Sequence, residues 1–379
     1  MSNNRPYQIC TNCVMDTSDS KIVFDEKGVC DYCNSYYKDI LSNWKPNQKK
    51  EEELEKIAAQ IRQAGRGKDY DCIIGLSGGT DSSYLTYIAK EKMGLKPLIY
   101  TVDTGWNLNV AVENIERLVN ALHLDMYTEM VNWEEMRDLQ IAFFKSQVAY
   151  QDFPQDHAIF AGLYNYAVKH NIKYVLTGAN NATECVRPPI EWVYMNDLTL
   201  MKDIHNKFGK VALTTFPMCG MFKYRLYYAY VKGMKRVAPL DFIGYNKHEA
   251  EKELNEKFGW EKYKNKHYEN IFTRFYEGYY LPQKFGYDKR KCYFSNMILT
   301  GQMTRQEALE QLQESPYDEN DIQSDMEYIA QKLCITKEEF IELIRGENKT
   351  YQDYKNSFSL IEFSIKMAKL LGVEKRNFR

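Results

Sequence analysis

The chain is predicted to be an α/β protein built on a parallel sheet, with a cysteine-bearing module in front of it and a mostly helical region behind. Three observations predict this. Short apolar runs alternate with helical patterns from Cys72 to Gly178, two C-x-x-C pairs stand near the N-terminal end, and beyond Trp260 the sequence turns aromatic and then helical. With 379 residues, 44% of them hydrophobic, the chain can bury a substantial core. A net charge of −2 with 27% charged residues gives no bulk attraction to nucleic acid or an anionic membrane, although it leaves room for a local basic patch. The opening "MSNNRPYQIC" has no apolar signal core, and no run of about 18 apolar residues occurs, so a cytoplasmic chain without a membrane span is expected. No internal repeat or low-complexity segment is found.

In chain order, residues 1–45 come first. Cys10 and Cys13 form one C-x-x-C, and Cys30 and Cys33 form another. Two such pairs complete a tetrahedral thiolate shell suited to Zn²⁺, and four thiolates leave no open position, so the metal is expected to be structural. An iron–sulfur cluster uses the same ligand set, and four unliganded buried thiols are the plain alternative. Between the pairs, "KIVFDEKGVC" reads as strand, turn at Asp25 to Gly28, and strand, the hairpin of a zinc ribbon. The other five cysteines are unpaired in sequence and read as small core residues; only Cys185 stands beside a candidate site.

Residues 46–258 are expected to form the α/β domain. After the polar linker "NWKPNQKKEEE", an amphipathic helix runs through Leu54, Ile57, Ala58 and Ile61 to Gly65. Cys72 to Leu76 reads as a buried strand, Asp81 to Met93 as a helix, and "LKPLIYTVD" as a second strand. A helix at Val110 to Leu122, a strand near Met126 to Val131, helices at Trp133 to Lys145 and Ala158 to His170, and the strand "KYVLTG" continue the alternation.

Between the first strand and its helix lies "SGGTDSS". Gly78 and Gly79 let the backbone curl tightly, so that its amides and the helix N-terminus face an anion, and Ser77, Thr80, Ser82 and Ser83 add hydroxyls. Asp81 would repel a bare phosphate, which points to Mg²⁺ bridging carboxylate and phosphate oxygens. The turn lacks the Gly-Lys-Ser/Thr ending of a Walker loop and the G-x-G-x-x-G of a dinucleotide fold. By spacing alone it reads as a pyrophosphate cradle or as a plain strand-to-helix turn.

"SGGTDSS" resembles the PP-loop of the ATP pyrophosphatases, the group containing asparagine, GMP and NAD synthetases and the tRNA-thiolating enzymes. The resemblance implies a Rossmann-like parallel sheet of that type, and cleavage of ATP between its α and β phosphates with AMP placed on a carbonyl oxygen. It implies that Val102 and Asp103, at the end of "YTVD", lie beside adenine and ribose. In "LTGANNATE" it implies that Gly178 contributes backbone and that Glu184 binds metal. "APLDFIGYNKHEA" resembles the group's late strand followed by a helix with a phosphate-directed lysine, here Lys247.

The chain as a whole resembles the N-acetyl sugar amidotransferases of bacterial surface-polysaccharide and flagellin-glycan synthesis. The resemblance rests on "CTNCVMDTSD", the PP-loop, "KHYENIFTRFYEGYYLPQKFGYDKRK" and "LTGQMTRQEAL". It implies conversion of a sugar acetamido group into an acetamidino group, as in pseudaminic or legionaminic acid and lipopolysaccharide sugars, using ATP, Mg²⁺ and structural Zn²⁺. Asp81 and Glu184 would serve the metal, with Arg274, Lys284, Lys289, Arg290 and Lys291 as basic candidates over the site, unless they form a solvated basic face. No nucleophile-elbow segment makes this chain its own glutaminase. The resemblance implies a separate glutamine amidotransferase, of the histidine-biosynthesis-synthase type, as the ammonia source. An amino sugar is the expected substrate, with neither nucleic acid nor membrane as a partner.

Residues 259–379 are expected to be an aromatic-rich, mostly helical substrate or partner region. Tyr263, Tyr268, Phe272, Phe275, Tyr276, Tyr279 and Tyr280 crowd together, mostly as core, with some sugar-stacking or partner-facing surface in prospect. Thr304 with Glu307 and Thr336 with Glu339 form capping boxes that start helices at "TRQEALEQL" and "TKEEFIELI". The acid-rich "QESPYDENDIQSDME" between them would repel DNA. Two rival functions stand beside the amidotransferase. One is a PP-loop tRNA thiolase using Cys185, and the other is a non-catalytic nucleotide-binding scaffold.

Overall fold

The computed structural model describes residues 5–194, 197–263 and 269–370. Five strands form one parallel sheet in the order β3-β2-β1-β4-β5. They are β1 (Cys72–Gly75), β2 (Pro97–Asp103), β3 (Met126–Met130), β4 (Tyr174–Leu176) and β5 (Lys235–Val237). Alternation along the strands decides which face each side chain joins. Ile74, Ile99, Tyr174 and Leu176 enter one buried cluster, with Ala58, Ile61, Leu85, Leu118 and Leu254 from the helices on that face. Ile73, Leu98, Tyr100 and Val175 enter another, with Ala161 and Tyr164 of the Phe153–Lys169 helix. Both faces are covered, which is why the central strands read as continuous apolar runs.

The first four strands and the helices between them lie where the hydrophobic pattern puts them. The fifth does not. The late strand expected at "APLDFIGY" is instead the preceding segment Lys235–Val237, while Pro239–Phe242 is a short 3-10 turn and a helix follows at Lys247–Phe258. β5 is an edge strand with Lys235 and Arg236 exposed, so it carries no apolar signature.

The N-terminal hairpin is reduced to single bridges, Ile9 with Asp16 and Phe24 with Cys30, around the expected turn, where Gly28 takes φ +76 and its N–H donates to the Asp25 carbonyl. The chain then enters a helix at Asp31–Ser35 that widens over Tyr36–Ile40. Cys10, Cys13, Met15 and Tyr36 share one buried cluster with Ile74 and Leu85 of the sheet domain and with Cys292 and Leu299 of the late helix Arg290–Leu299.

The Trp133–Ser146 helix anchors a further core with the late region. Phe272, Phe275, Tyr276 and Tyr280 pack there with Phe143, Phe144, Ile329 and Phe340 and are at most 1% exposed. These aromatics are core rather than sugar-stacking surface; Tyr268 lies outside the described residues. Both capping boxes form, at Arg305–Gln313 and Lys337–Ile344. The acid-rich stretch between them folds into the helix Glu319–Leu333. Among the described residues, no helix is long and apolar enough to cross a membrane.

Candidate active site

The "SGGTDSS" loop leaves the C-terminal end of β1 and enters the helix Thr80–Tyr87. Gly78 takes φ +85, and a Cβ there would stand 2.9 Å from the Ala111 carbonyl oxygen, so only glycine fits. Its carbonyl accepts from Trp260 Nε1 at 3.1 Å and from the Tyr263 hydroxyl at 3.2 Å. No peptide bond here is cis, so the N–H of Gly79 points the opposite way, toward Ser77 Oγ at 3.3 Å. Trp260 and Tyr263 thereby fix the orientation of the Gly78–Gly79 peptide. No side chain caps the helix, so the first-turn N–H groups beyond Gly79 remain available to an anion. Ser77 and Ser82 hydroxyls stand 3.3 Å apart at the rim.

A cavity of about 400 Å³ opens in front of this loop. Ser77, Gly79, Thr80, Asp81 and Ser82 line it, with Gly178, Glu184, Lys247, Lys289 and Arg290. Asp81 Oδ1 accepts from the Tyr245 hydroxyl at 2.6 Å. Burial first, then the carboxylate itself, hold that phenol protonated far above its ordinary range, so it acts as a fixed donor. Gly178 backs onto the same turn: a Cβ there would lie 3.0 Å from the Asp81 carbonyl carbon and the Ser82 nitrogen. Glu184 ends a one-turn helix whose start is capped by the Asn180 side chain, which accepts from the Thr183 N–H at 2.9 Å. Two carboxylates, the open amides and the rim hydroxyls thus meet in one cavity, a donor set suited to a divalent cation with phosphate oxygens.

Several lining residues carry no sequence motif. Buried Glu251 accepts from Lys262 Nζ at 2.8 Å and from Thr80 Oγ1 at 3.3 Å, with Lys247 Nζ at 3.8 Å. It orders two cations beside the loop. The spacing of Lys247 and Glu251, four apart on a helix, is the signal that could have revealed it. Glu277, 6% exposed, pairs with Lys289 and accepts from the Tyr293 hydroxyl at 3.0 Å. Phe294, Met297, Met303 and Pro316 give the far wall an apolar character.

Other expected site residues are placed elsewhere. Ser83 is fully buried and its hydroxyl makes no hydrogen bond, because it lies one position past Ser82 and faces the core. Val102 and Asp103 do not line the cavity; Asp103 Oδ1 accepts from the Gly105 N–H at 2.7 Å. Arg274 is held by Asp325, Lys284 donates to the carbonyls of Ile344 and Gly346, and Lys291 pairs with buried Asp16. These three basic residues fasten elements together and lie away from the cavity. Arg290 lines it but also grips Asp288 at 2.8 Å and the Glu314 carbonyl at 2.9 Å. Cys185 is buried, its thiol donates to Asn296 Oδ1 at 3.0 Å, and burial pushes it up to about 12. Such a thiol is not a nucleophile at neutral pH.

The four N-terminal cysteines converge on one point. Their sulfurs all lie within 4.8 Å of one another, with Cys10–Cys33 at 3.8 Å and Cys13–Cys30 at 3.6 Å. A tetrahedral ion with Zn–S bonds of about 2.3 Å requires sulfurs about 3.8 Å apart. Backbone N–H groups of Cys13 and Cys30 donate to Cys10 Sγ, and that of Met15 donates to Cys13 Sγ, which stabilises thiolate charge. The residues fit a single metal ion. The module is closed from outside by Arg305, whose guanidinium donates to the carbonyls of Cys10 and Cys13 at 2.9 and 3.0 Å.

Comparison with known proteins adds to this geometry. Over residues 269–368 the chain matches the family described as LPS biosynthesis protein WbpG-like, C-terminal domain. An uncharacterised protein of Methanocaldococcus jannaschii is 32% identical over 119 residues, 31% of this chain and 40% of that protein. A glutamine-hydrolysing GMP synthase of Shewanella denitrificans is 34% identical over 90 residues, 22% of this chain and 16% of the synthase. The chain therefore spans less than half the length of either curated relative. Among solved structures, an NH3-dependent NAD synthetase from Campylobacter jejuni is 18% identical, with 54% of this chain and 82% of that chain covered, at a TM-score of 0.28. An NMN synthetase from Francisella tularensis is 18% identical, covering 56% and 88%, at 0.26. A tRNA thiolase from Methanococcus maripaludis, holding a 4Fe–4S cluster, is 13% identical and covers 91% of both chains at 0.30.

Proposed function

We propose that the chain is an ATP-dependent amidotransferase that converts a sugar N-acetyl group into an acetamidino group, in the synthesis of bacterial lipopolysaccharide or flagellin-glycan sugars. The observation that carries the reading is the cavity itself. Open loop amides, Asp81, Glu184 and Lys247 on one wall face Lys289 and Tyr293 on another, and the second wall belongs to the segment that matches the lipopolysaccharide-biosynthesis family.

An amide carbonyl is a poor electrophile because its nitrogen donates into it, and adenylating its oxygen supplies AMP as leaving group. In this proposal the amides of Thr80, Asp81 and Ser82 and the Ser77 and Ser82 hydroxyls hold the departing pyrophosphate. Asp81, fixed by Tyr245, and Glu184 would hold a Mg²⁺ ion, which when bound would supply positive charge against the phosphates. Lys247 and Lys262, ordered by Glu251, add positive charge beside it. The apolar wall of Phe294, Met297 and Met303 keeps water from the activated imidate. Ammonia from a separate glutamine amidotransferase attacks the carbon and AMP leaves. In this reading the four-cysteine module would hold structural zinc, a choice supported over a multi-iron cluster by the close approach of its sulfurs, all within 4.8 Å of one another. The thiolase reading is disfavoured by the buried, protonated Cys185.

The test uses purified full-length chain with acetamido sugar, ATP, Mg²⁺ and concentrated ammonium salt at mildly alkaline pH. Acetamidino product, AMP and pyrophosphate are expected in step, and glutamine alone should support none. ADP with phosphate, or turnover with glutamine alone, would refute the proposal.

A further inference from the structure

The segment from Met221 to Val237 holds no Asp, Glu, Asn, Gln, Ser or Thr: apart from Ala229 and Gly233, every side chain is apolar, tyrosine or cationic. Its first part is a wide-turned helix, Lys223–Val231, closed by a hydrogen bond from the Lys232 N–H to the Tyr227 carbonyl at 2.9 Å. One face of that helix is bolted down. The Tyr224 ring lies 4.8 Å from Phe160 and 4.7 Å from Tyr164, and Tyr228, 2% exposed, donates to Asn165.

The opposite face is bare. Phe222 is 61% exposed, Leu226 54%, Tyr227 43%, Tyr230 81% and Val231 70%, at a spacing that places all five on one side. Lys223 and Arg225 flank this apolar strip at one end, and Lys232, Lys235 and Arg236 flank it at the other, all exposed. Among the described residues none of these five cations forms an ion pair with a carboxylate. Lys232, Arg225 and Lys235 lie instead over the rings of Tyr227, Tyr224 and Tyr174, each at 5.5 Å. Long cationic stems thus line an apolar ridge with no acid neutralising their charged ends.

We infer that this ridge is a peripheral docking surface for an anionic lipid bilayer. A protein interface of ordinary kind carries about one directional hydrogen bond per 100–200 Å², made between donors and acceptors, and apart from the tyrosine hydroxyls the side chains of this segment offer donors alone. A membrane interface asks for apolar residues to sink below the headgroups, tyrosines at headgroup level and cations for anionic lipid, which is what the segment contains. A second copy of the chain would bring two unpaired cationic rims together, so self-association through this ridge is disfavoured. RNA would use the rings and cations but leave Leu226 and Val231 without a role. The surface is a local exception to the balanced net charge of −2. It does not depend on the reaction proposed above.

The experiment is sedimentation of full-length chain with phosphatidylcholine vesicles, and with vesicles containing about a third phosphatidylglycerol. Binding to the anionic vesicles at low salt is expected, with little to phosphatidylcholine alone, and rising salt should weaken it. Arg225→Ala and Lys232→Ala should each lower the partition coefficient about fivefold. Tyr230→Ser combined with Val231→Ser should lower it at low and high salt alike. Both positions are largely exposed, so the melting temperature of this variant should match the parent, which separates loss of binding from loss of fold. Absence of binding to anionic vesicles, or binding indifferent to all these substitutions, would overturn the inference. So would loss of RNA binding or of dimer formation in the same variants while no vesicle binding is seen.

Discussion

Asp81 shows how a single side chain is made into a tool by its neighbours. It sits in the first turn of a helix, where a carboxylate is favoured, and the buried Tyr245 phenol fixes one of its oxygens. Asp81→Asn is expected to lower turnover by about 10²–10³-fold and to weaken ATP binding much less, since the loop amides remain; near-normal steady-state rates would contradict the cradle. Tyr245→Phe removes only the hydroxyl. A net hydrogen bond is worth about 1 kcal/mol, so the Mg²⁺ concentration for half-maximal rate should rise about fivefold while the rate at saturating Mg²⁺ stays close to normal. Cys185→Ala should retain ATP pyrophosphatase activity, because its thiol is buried and bonded to Asn296. The meeting of Ser77, Asp81 and Ser82 at one cavity-lining turn is legible because glycines and hydroxyls crowd a strand-to-helix turn in the sequence. Ser83, Lys284 and Lys291 were not, because adjacent positions on a helix face different ways and a lysine's partner is chosen by tertiary contact. Tyr245 and Glu251 were missed for the converse reason: each acts through another residue and belongs to no motif.

At the level of elements, β1, β2 and β4 are legible as apolar runs within the sheet and the exposed edge strand β3 from its place between two helical patterns, whereas β5, an exposed three-residue edge strand, leaves no periodic trace. Gly178 joins two such elements. Its missing Cβ lets the loop after β4 rest on the first turn of the helix Thr80–Tyr87, so Gly178→Ala should push these apart. We expect a loss of about 1–3 kcal/mol of stability together with weaker ATP binding, measured by denaturant unfolding and by calorimetric titration. The two cysteine knuckles were legible from spacing alone, but their attachment was not. Because Cys10 and Cys13 share a buried cluster with Ile74, Leu85 and Leu299, Cys30→Ser should release zinc and lower the melting temperature of the whole chain by several degrees. An unchanged melting curve in the zinc-free variant would show that the module folds apart from the rest.

Across the whole molecule, the cavity is closed by segments distant in sequence, the loop at Ser77 on one side and the helix Arg290–Leu299 on the other. No local pattern foretells such a meeting, which is why Lys289 and Lys291, two positions apart, receive such different surroundings. Ammonium-driven turnover by the isolated chain should increase with pH through the range where ammonium loses its proton, since only neutral ammonia has a free lone pair. A rate indifferent to that change at fixed total ammonium would contradict attack by ammonia. The same long-range closure gives synthesis a time order. Cys13 leaves the ribosome long before Arg305, whose guanidinium later grips the carbonyls of Cys10 and Cys13. At about 5–20 residues per second the interval is roughly a quarter of a minute to a minute. During it the knuckles lack their arginine clasp and their thiolates are open to whatever metal or oxidant is at hand. A metal that arrived first would then be locked in once Arg305 is made and takes hold of those carbonyls. Protein produced under zinc starvation should accordingly keep its wrong occupant, or none, when zinc is supplied after folding.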